Sequence, residues 1–258
     1  MEPPISPLLF SILLFLGMLG MLEVGRRLGI WRRSIEGENE RSNLGPIEGA
    51  VFALFGLLIA FTFSGGASRF NEKRMLIAEE TNAIETAYLR LDLVPEAKPE
   101  LQELFRRYLD SRIETYRRLP DMKAASLEIA NSKKIQGQIW SQAVVASRMP
   151  GAHPAAAWVL LPALNTMIDI TTTRAMARQT HPPRIIYGLL FGLGLICSLL
   201  AGYRMATGQR RSWLHILGFT IITVIVVYVV LDLEYPRAGL IRLEEADQML
   251  VDLRDHLH

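Results

Sequence analysis

An all-α membrane protein, with four transmembrane helices and a helical extramembrane domain inserted between the second and the third, is what this 258-residue sequence predicts. Three observations predict it. Long apolar runs lie at both ends of the chain and flank a charged stretch from about Ala67 to Pro182. Glycine and proline are absent from Ala67 to Val94, so the second apolar run continues as one helix beyond the membrane. No strand-like alternation occurs anywhere.

The composition fits this class. Half the residues are apolar, 21% are charged, the formal net charge is +2, and the mean hydropathy is +0.21. These values exclude a disordered chain. A single cysteine, Cys197, excludes a disulfide scaffold, and its apolar surroundings (ICSLLAG) make it a small buried hydrophobe. The near-neutral charge gives no warrant for nucleic-acid binding.

A bilayer core of about 30 Å needs about 20 mostly apolar residues in a helix. Span 1 runs from Ile5 to Leu22 and ends at Glu23 and the pair Arg26–Arg27. No basic residue precedes it and no small-residue cleavage site follows, so it is expected to be retained rather than removed as a signal peptide. Span 2, Ile47 to Phe63, holds Glu48 as its one charge. Span 3, Ile185 to Tyr203, is free of charge and rich in glycine (Gly188, Gly192, Gly194, Gly202). Span 4, Trp213 to Leu231, is almost wholly β-branched after Gly218. Trp31 and Trp213, beside basic residues, suit interfacial anchors. The expected division is 1–66 for spans 1 and 2, 67–182 for the inserted domain, 183–235 for spans 3 and 4, and 236–258 for a C-terminal helix.

Within the inserted domain, Phe70, Ile77, Ile84 and Leu91 repeat every seven residues, which indicates a helix packed lengthwise on others. Pro95 and Pro99 end it. A second helix, from about Glu100 to Leu119, carries Leu101, Leu104, Tyr108, Ile113 and Tyr116, and Pro120 stops it. A third covers roughly Met122 to Arg148. A fourth runs from Ala155 to Thr180, with Pro162 as an expected kink, and stops before two prolines at 182 and 183. Arg242 to His258 reads as one more amphipathic helix.

No catalytic constellation emerges, so the chain does not read as an enzyme. The histidines share no ligand spacing except His256-x-His258 at the terminus, and no metal or cofactor is expected. Gly65–Gly66 follows a membrane span rather than a strand and so fails as a phosphate loop. Span 2 is more informative. Phe52, Phe55, Ile59 and Phe63 share one helical face, with Thr62 and Ser64 just below, while Gly49, Ala53, Gly56 and Ala60 form a row of small residues on another. If the small row packs inside the subunit, the aromatic row is free to form a hydrophobic neck around the axis of an oligomer. Glu48, in the first turn of span 2, suits either a helix-dipole partner or a charge at a pore mouth. Asp232 and Glu234 end span 4, where a local ion pair with Arg237 is expected. Asn165, Asp169, Thr172 and Thr173 form a polar stripe, either a solvated face or the lining of a vestibule opposite Glu79, Glu80 and Glu85.

The junction after span 2 reads Phe63-Ser-Gly-Gly-Ala-Ser-Arg69-Phe70-Asn-Glu72-Lys-Arg74. It resembles the bestrophin junction, where the pore helix leads into an arginine, an aromatic, an acid and a second arginine, matched here by Arg69, Phe70, Glu72 and Arg74. Over nearly its whole length the chain is similar to bacterial bestrophin-like membrane proteins, through EGAVFALFGLLIAFTFSGGASRF, EETNAIETAYLRLDL and LDLEYPRAGLI. The resemblance implies a homopentameric ion channel for inorganic monovalent ions, its pore lined by span 2 and narrowed at Phe55, Ile59 and Phe63. The sign of the ion does not transfer. The calcium-binding acidic cluster of animal bestrophins is not evident, since Glu244, Glu245 and Asp247 lie in an ordinary amphipathic helix, so calcium gating is not expected.

Orientation is contested. The side of the two short loops carries Arg26, Arg27, Arg32, Arg33, Arg41, Arg204, Arg210 and Arg211. The other side, with both termini and the inserted domain, carries Arg69, Lys73, Arg74, Arg174, Arg178, Arg184, Arg237 and Arg242. The positive-inside rule favours the short loops as cytoplasmic. The resemblance places the helical domain and both termini in the cytoplasm of a cell with the protein in its inner membrane, and that is the expectation adopted. Two other classes stay open: an energy-coupling or scaffold protein resembling proton-driven stator subunits, and a membrane sensor without conduction.

Overall fold

The computed structural model describes residues 6–36, 45–119, 121–206, 213–236 and 240–257. Among the described residues the chain is a succession of helices: α1 (Pro7–Glu36), α2 (Gly45–Leu89), α3 (Lys98–Arg117), α4 (Met122–Ala146), α5 (Ala156–Gln179), α6 (Arg184–Met205), α7 (Trp213–Glu234) and α8 (Glu244–His256). Four of them, α1, α2, α6 and α7, supply stretches long and apolar enough to cross a membrane. Ile5, Arg41, Pro120, Arg210, Arg211, Arg237 and His258, singled out in the sequence, lie outside the described residues.

Two compact units divide the chain, one of residues 1–68 and 181–239, the other of residues 69–180 and 240–258. Helix α2 contributes to both. Its 45 residues run unbroken, about 67 Å at 1.5 Å per residue and twice the bilayer core. A four-residue 3-10 turn, Arg90–Leu93, follows it.

In the membrane unit α1 packs along α6 and also against α7. Glycine makes the first contact possible. A Cβ on Gly25 would lie 2.0 Å from the Leu199 carbonyl oxygen, and one on Gly202 would lie 2.0 Å from that of Leu22. The two backbones therefore touch, as small residues allow in lipid, where helices have no hydrophobic drive to associate. The core of this unit gathers Leu14, Met18, Phe55, Leu190, Cys197, Val227 and Leu231.

The second unit is built on an α3–α4 pair, with α5 and α8 packed around it. Its core runs from Ile84 of α2 and Leu91 of the 3-10 turn through Leu101, Phe105, Tyr108 and Leu109 of α3 to Leu250 and Leu253 of α8. The heptad residues Ile77, Ile84 and Leu91 are all buried, and Phe70 packs with Leu243 and Ala246. Each fully buried side chain of this size contributes about 1.5–3 kcal/mol. Asp121 caps α4, accepting hydrogen bonds from the backbone of Lys123 at 2.9 Å and Ala124 at 3.0 Å. Asp121→Ala is expected to remove about 1 kcal/mol of helix stability, read as a small fall in the melting midpoint of the purified protein.

Candidate functional site

The four spans are unequally covered by their own subunit. The apolar window of α2 is 11% buried, against 28% for each of the other three. Side chains rather than backbone carry the contact: Val51, Phe52, Phe55, Leu58 and Ile59 reach the membrane-unit core. Phe55 is 4% exposed, its ring edge closing on Gly194, where a Cβ would sit 3.5 Å away. Phe52 stacks edge-on against Phe219 with centroids 6.1 Å apart.

This arrangement corrects the expected use of the two rows. Gly49, Ala53, Gly56 and Ala60 are exposed, while Phe52, Phe55 and Ile59 face inward; of the aromatic row only Phe63 is exposed. The physical reason is volume. The space between α2 and its neighbours is wide enough to take phenyl rings, so the large side chains fill it and the small ones turn outward. Opposite Phe55, at 100° per residue, lies a face of Ala50, Ala53, Leu57 and Ser64, flanked by Phe61. All five are exposed. Thr62 is half-buried and donates its hydroxyl to the carbonyls of Leu58 and Ile59 at 2.8 and 2.9 Å, so it is engaged with its own helix.

Glu48 is buried and pairs with Arg204 of α6 at 2.8 Å. Its carboxylate thus ties α2 to the end of α6, a partner 156 residues away that first-turn position alone does not indicate. At the far end of α7, Asp232 and Glu234 are both buried. His181 stacks on Tyr235 with centroids 4.9 Å apart and approaches Glu234 at 3.8 Å. Gly66 of α2 lies beside this end of α7, where a Cβ would meet Glu234 Oε1 at 3.4 Å, an ordinary contact.

In the helical unit, Glu79 and Glu85 are exposed but Glu80 is not, and the vestibule role expected of Glu80 is corrected. Glu80 is completely buried. It accepts from Arg112 Nε at 2.6 Å and Nη2 at 3.1 Å, and Arg174 pairs with its other side. Tyr116 lies under both guanidinium groups, 5.2 Å from that of Arg112 and 4.4 Å from that of Arg174, and accepts a hydrogen bond from Arg112. Asp247 of α8 stands 4.0 Å from Arg174. Two acids and two arginines from α2, α3, α5 and α8 therefore neutralise one another inside the unit. Burial works against the Glu80 charge, yet the attraction of Arg112 and Arg174 outweighs it and holds the carboxyl below its ordinary range. Burial raises the Tyr116 hydroxyl, which stays a neutral acceptor.

Of the remaining residues read from the sequence, Asn165, Asp169, Thr172 and Thr173 form an exposed stripe on α5, with Asn165 donating to Asp169 at 2.8 Å. In the junction motif Glu72 and Arg74 are exposed, while Arg69 is half-buried and Phe70 anchors α8. Among the described residues no group of three or more histidine, cysteine, aspartate or glutamate side chains is placed to hold a metal.

The family model of the bestrophin-like domain matches residues 29–248 of this chain, from the end of α1 into α8. The chain belongs to the bestrophin-like family. Its fold is also that of a bacterial bestrophin homologue from Klebsiella pneumoniae, solved as two single-residue variants. One has 14% identity and a TM-score of 0.65 over 96% of this chain and 98% of that one; the other has 14% and 0.61 over 95% and 98%. A further crystal structure, described as a membrane protein, gives 15% and 0.60 over 94% and 99%. No curated protein matches. The bestrophin-like chain thus spans nearly the full length of each solved relative.

Proposed function

We propose that this bestrophin-like protein is one subunit of an ion channel for inorganic monovalent ions, assembled as a homopentamer in the inner membrane with α2 nearest the axis. The helical unit and both termini are cytoplasmic in this reading. One observation carries it: α2 is the least covered span of the subunit, at 11% buried. Its uncovered face mixes small residues with Leu57 and Phe61. In a ring, the flank of Gly49, Gly56 and Ala60 lets a neighbouring subunit approach closely. Leu57 and Phe61 then form the apolar neck, which gates by dewetting, while Phe63, about 120° round the helix from Leu57, lies on the side of the neighbouring subunit. Phe55 supports that neck from behind, inside the subunit core.

Ion flux from proteoliposomes tests this. A Leu57→Ala/Phe61→Ala variant is expected to conduct at least about tenfold faster than the native protein, because a wider neck is easier to wet. Phe55→Ala is expected to lower stability by about 3–5 kcal/mol as a core truncation, read as a fall in the melting midpoint of the purified protein. Substituting the ions in the same assay gives the sign of the permeant species. Flux from neither native nor variant protein, with oligomers intact, assigns the chain to the non-conducting scaffold or sensor class instead.

A further inference from the structure

We infer that the membrane unit carries a binding site for an anionic glycerophospholipid, in the cleft between the C-terminal half of α1, the end of α6 and the start of α7. The cleft has a volume of about 400 Å³, roughly thirteen times the share of one water molecule in the liquid. That is room for a phosphodiester, its glycerol and the first methylenes of an acyl chain.

The cleft follows from how the helices meet. Gly25 and Gly202 bring the α1 and α6 backbones into contact, and α7 packs on α1 more than on α6. A gap is left beside that contact, where α6 ends and α7 begins, and Gly202 itself lines it. Its wall is apolar, formed by Leu19, Leu22, Met205 and Ile216. Its rim is charged: Arg26 and Arg27 both stand at the opening with Glu23 between them.

Charge and depth identify the occupant. Glu23 Oε1 accepts from Arg27 Nε at 3.0 Å, and Arg26 approaches the same carboxylate at 3.3–3.4 Å. One carboxylate faces two guanidinium groups, so a positive charge is left over at the rim, with further N–H donors on both arginines to spend on phosphate oxygens. Counting about 20 residues for a membrane crossing from Pro7 places Arg26 and Arg27 at the interface. Trp213, the first residue of α7, also borders the cleft, and tryptophan belongs at that same level. An apolar wall beneath a cationic rim at headgroup depth fits an anionic lipid rather than a zwitterionic one.

The test is native mass spectrometry of the full-length protein in neutral detergent, titrated with phosphatidylglycerol, phosphatidylcholine or inorganic phosphate. One phosphatidylglycerol per subunit is expected to survive transfer, with phosphatidylcholine retained at least tenfold less and excess inorganic phosphate failing to displace the lipid. Arg26→Gln/Arg27→Gln is expected to weaken phosphatidylglycerol binding roughly 30-fold. Ile216→Trp fills the cleft while keeping both charges, so it serves as a second variant if the first does not fold, and it is expected to lose the lipid as well. Equal retention of both lipids by native and variant proteins overturns the site and leaves only annular contact. Displacement by inorganic phosphate overturns the lipid assignment in favour of a free-anion site. Neither readout depends on conduction, so the channel reading and the lipid site fail separately.

Discussion

Glu80→Gln is expected to destabilise the helical domain by about 3–5 kcal/mol at pH 7, the cost of leaving a buried ion pair without one partner. The geometry explains the size. Arg112 and Arg174 are nearly as buried as the carboxylate they share, with side chains 7% and 9% exposed. Removing the charge at Glu80 leaves two guanidinium groups facing one distant acid, Asp247 at 4.0 Å. The amide keeps the shape and one acceptor oxygen, so the loss is electrostatic rather than a cavity.

The pH dependence gives an independent check. The Glu80 carboxyl is held below its ordinary value of 4.5, so the unfolded chain binds its proton before the folded one does. Stability from this group is complete above about pH 4.5 and is lost as the pH falls through the lower folded value. Thermal melting of purified protein from pH 7 to pH 3 is expected to show native and Glu80→Gln curves converging as the medium becomes acid. Parallel curves at all pH values, or equal midpoints at pH 7, would sink the claim that this cluster holds the domain together.

Some of this was legible in the sequence. The heptad of Phe70, Ile77, Ile84 and Leu91 marks a buried stripe because a water-soluble helix separates apolar from polar faces, and the stripe is where the period places it. Proline positions bounded α3 and α5 for the same local reason. The membrane helices obey a weaker rule. Both rows of span 2 are tolerated by lipid, so periodicity alone could not tell which one faces the subunit core; the size of the gap between helices decided it. Hydropathy likewise marks where a helix meets lipid, not where it stops. Span 1 loses its apolar character at Glu23, yet α1 continues to Glu36. The partners of Glu80 lie 32 and 94 residues away, and no local pattern announces them. A glutamate that follows Glu79 and precedes Thr81 and Asn82 signals exposure, and only the arginines brought in by α3 and α5 make its burial possible.

The close approach of α1 and α6 yields the other large effect. Gly25→Ala and Gly202→Ala are each expected to cost about 3 kcal/mol or more, at or beyond the upper end for overpacking. The added methyl would sit 2.0 Å from a backbone carbonyl oxygen in either case. Backbone has no alternative rotamer, so the helices must separate until that contact reaches an ordinary distance of 3.4 Å or more. Separation also strips packing from Gly29, where a Cβ would already meet Ala206 at 2.6 Å. Gly188→Ala is the control: nothing lies within 4 Å of its Cβ position, and alanine gains about 0.5–1 kcal/mol over glycine inside a helix. Melting of the three variants in detergent reads the difference, and equal midpoints for all of them would refute the backbone contact. The consequence reaches α2. Phe55 seats against Gly194 of α6 and packs in one cluster with Leu14 of α1, so a widened α1–α6 pair removes the surface on which the proposed neck helix rests. Gly25→Ala and Gly202→Ala are therefore expected to alter flux as well as stability, whereas Gly188→Ala should alter neither by more than a small factor.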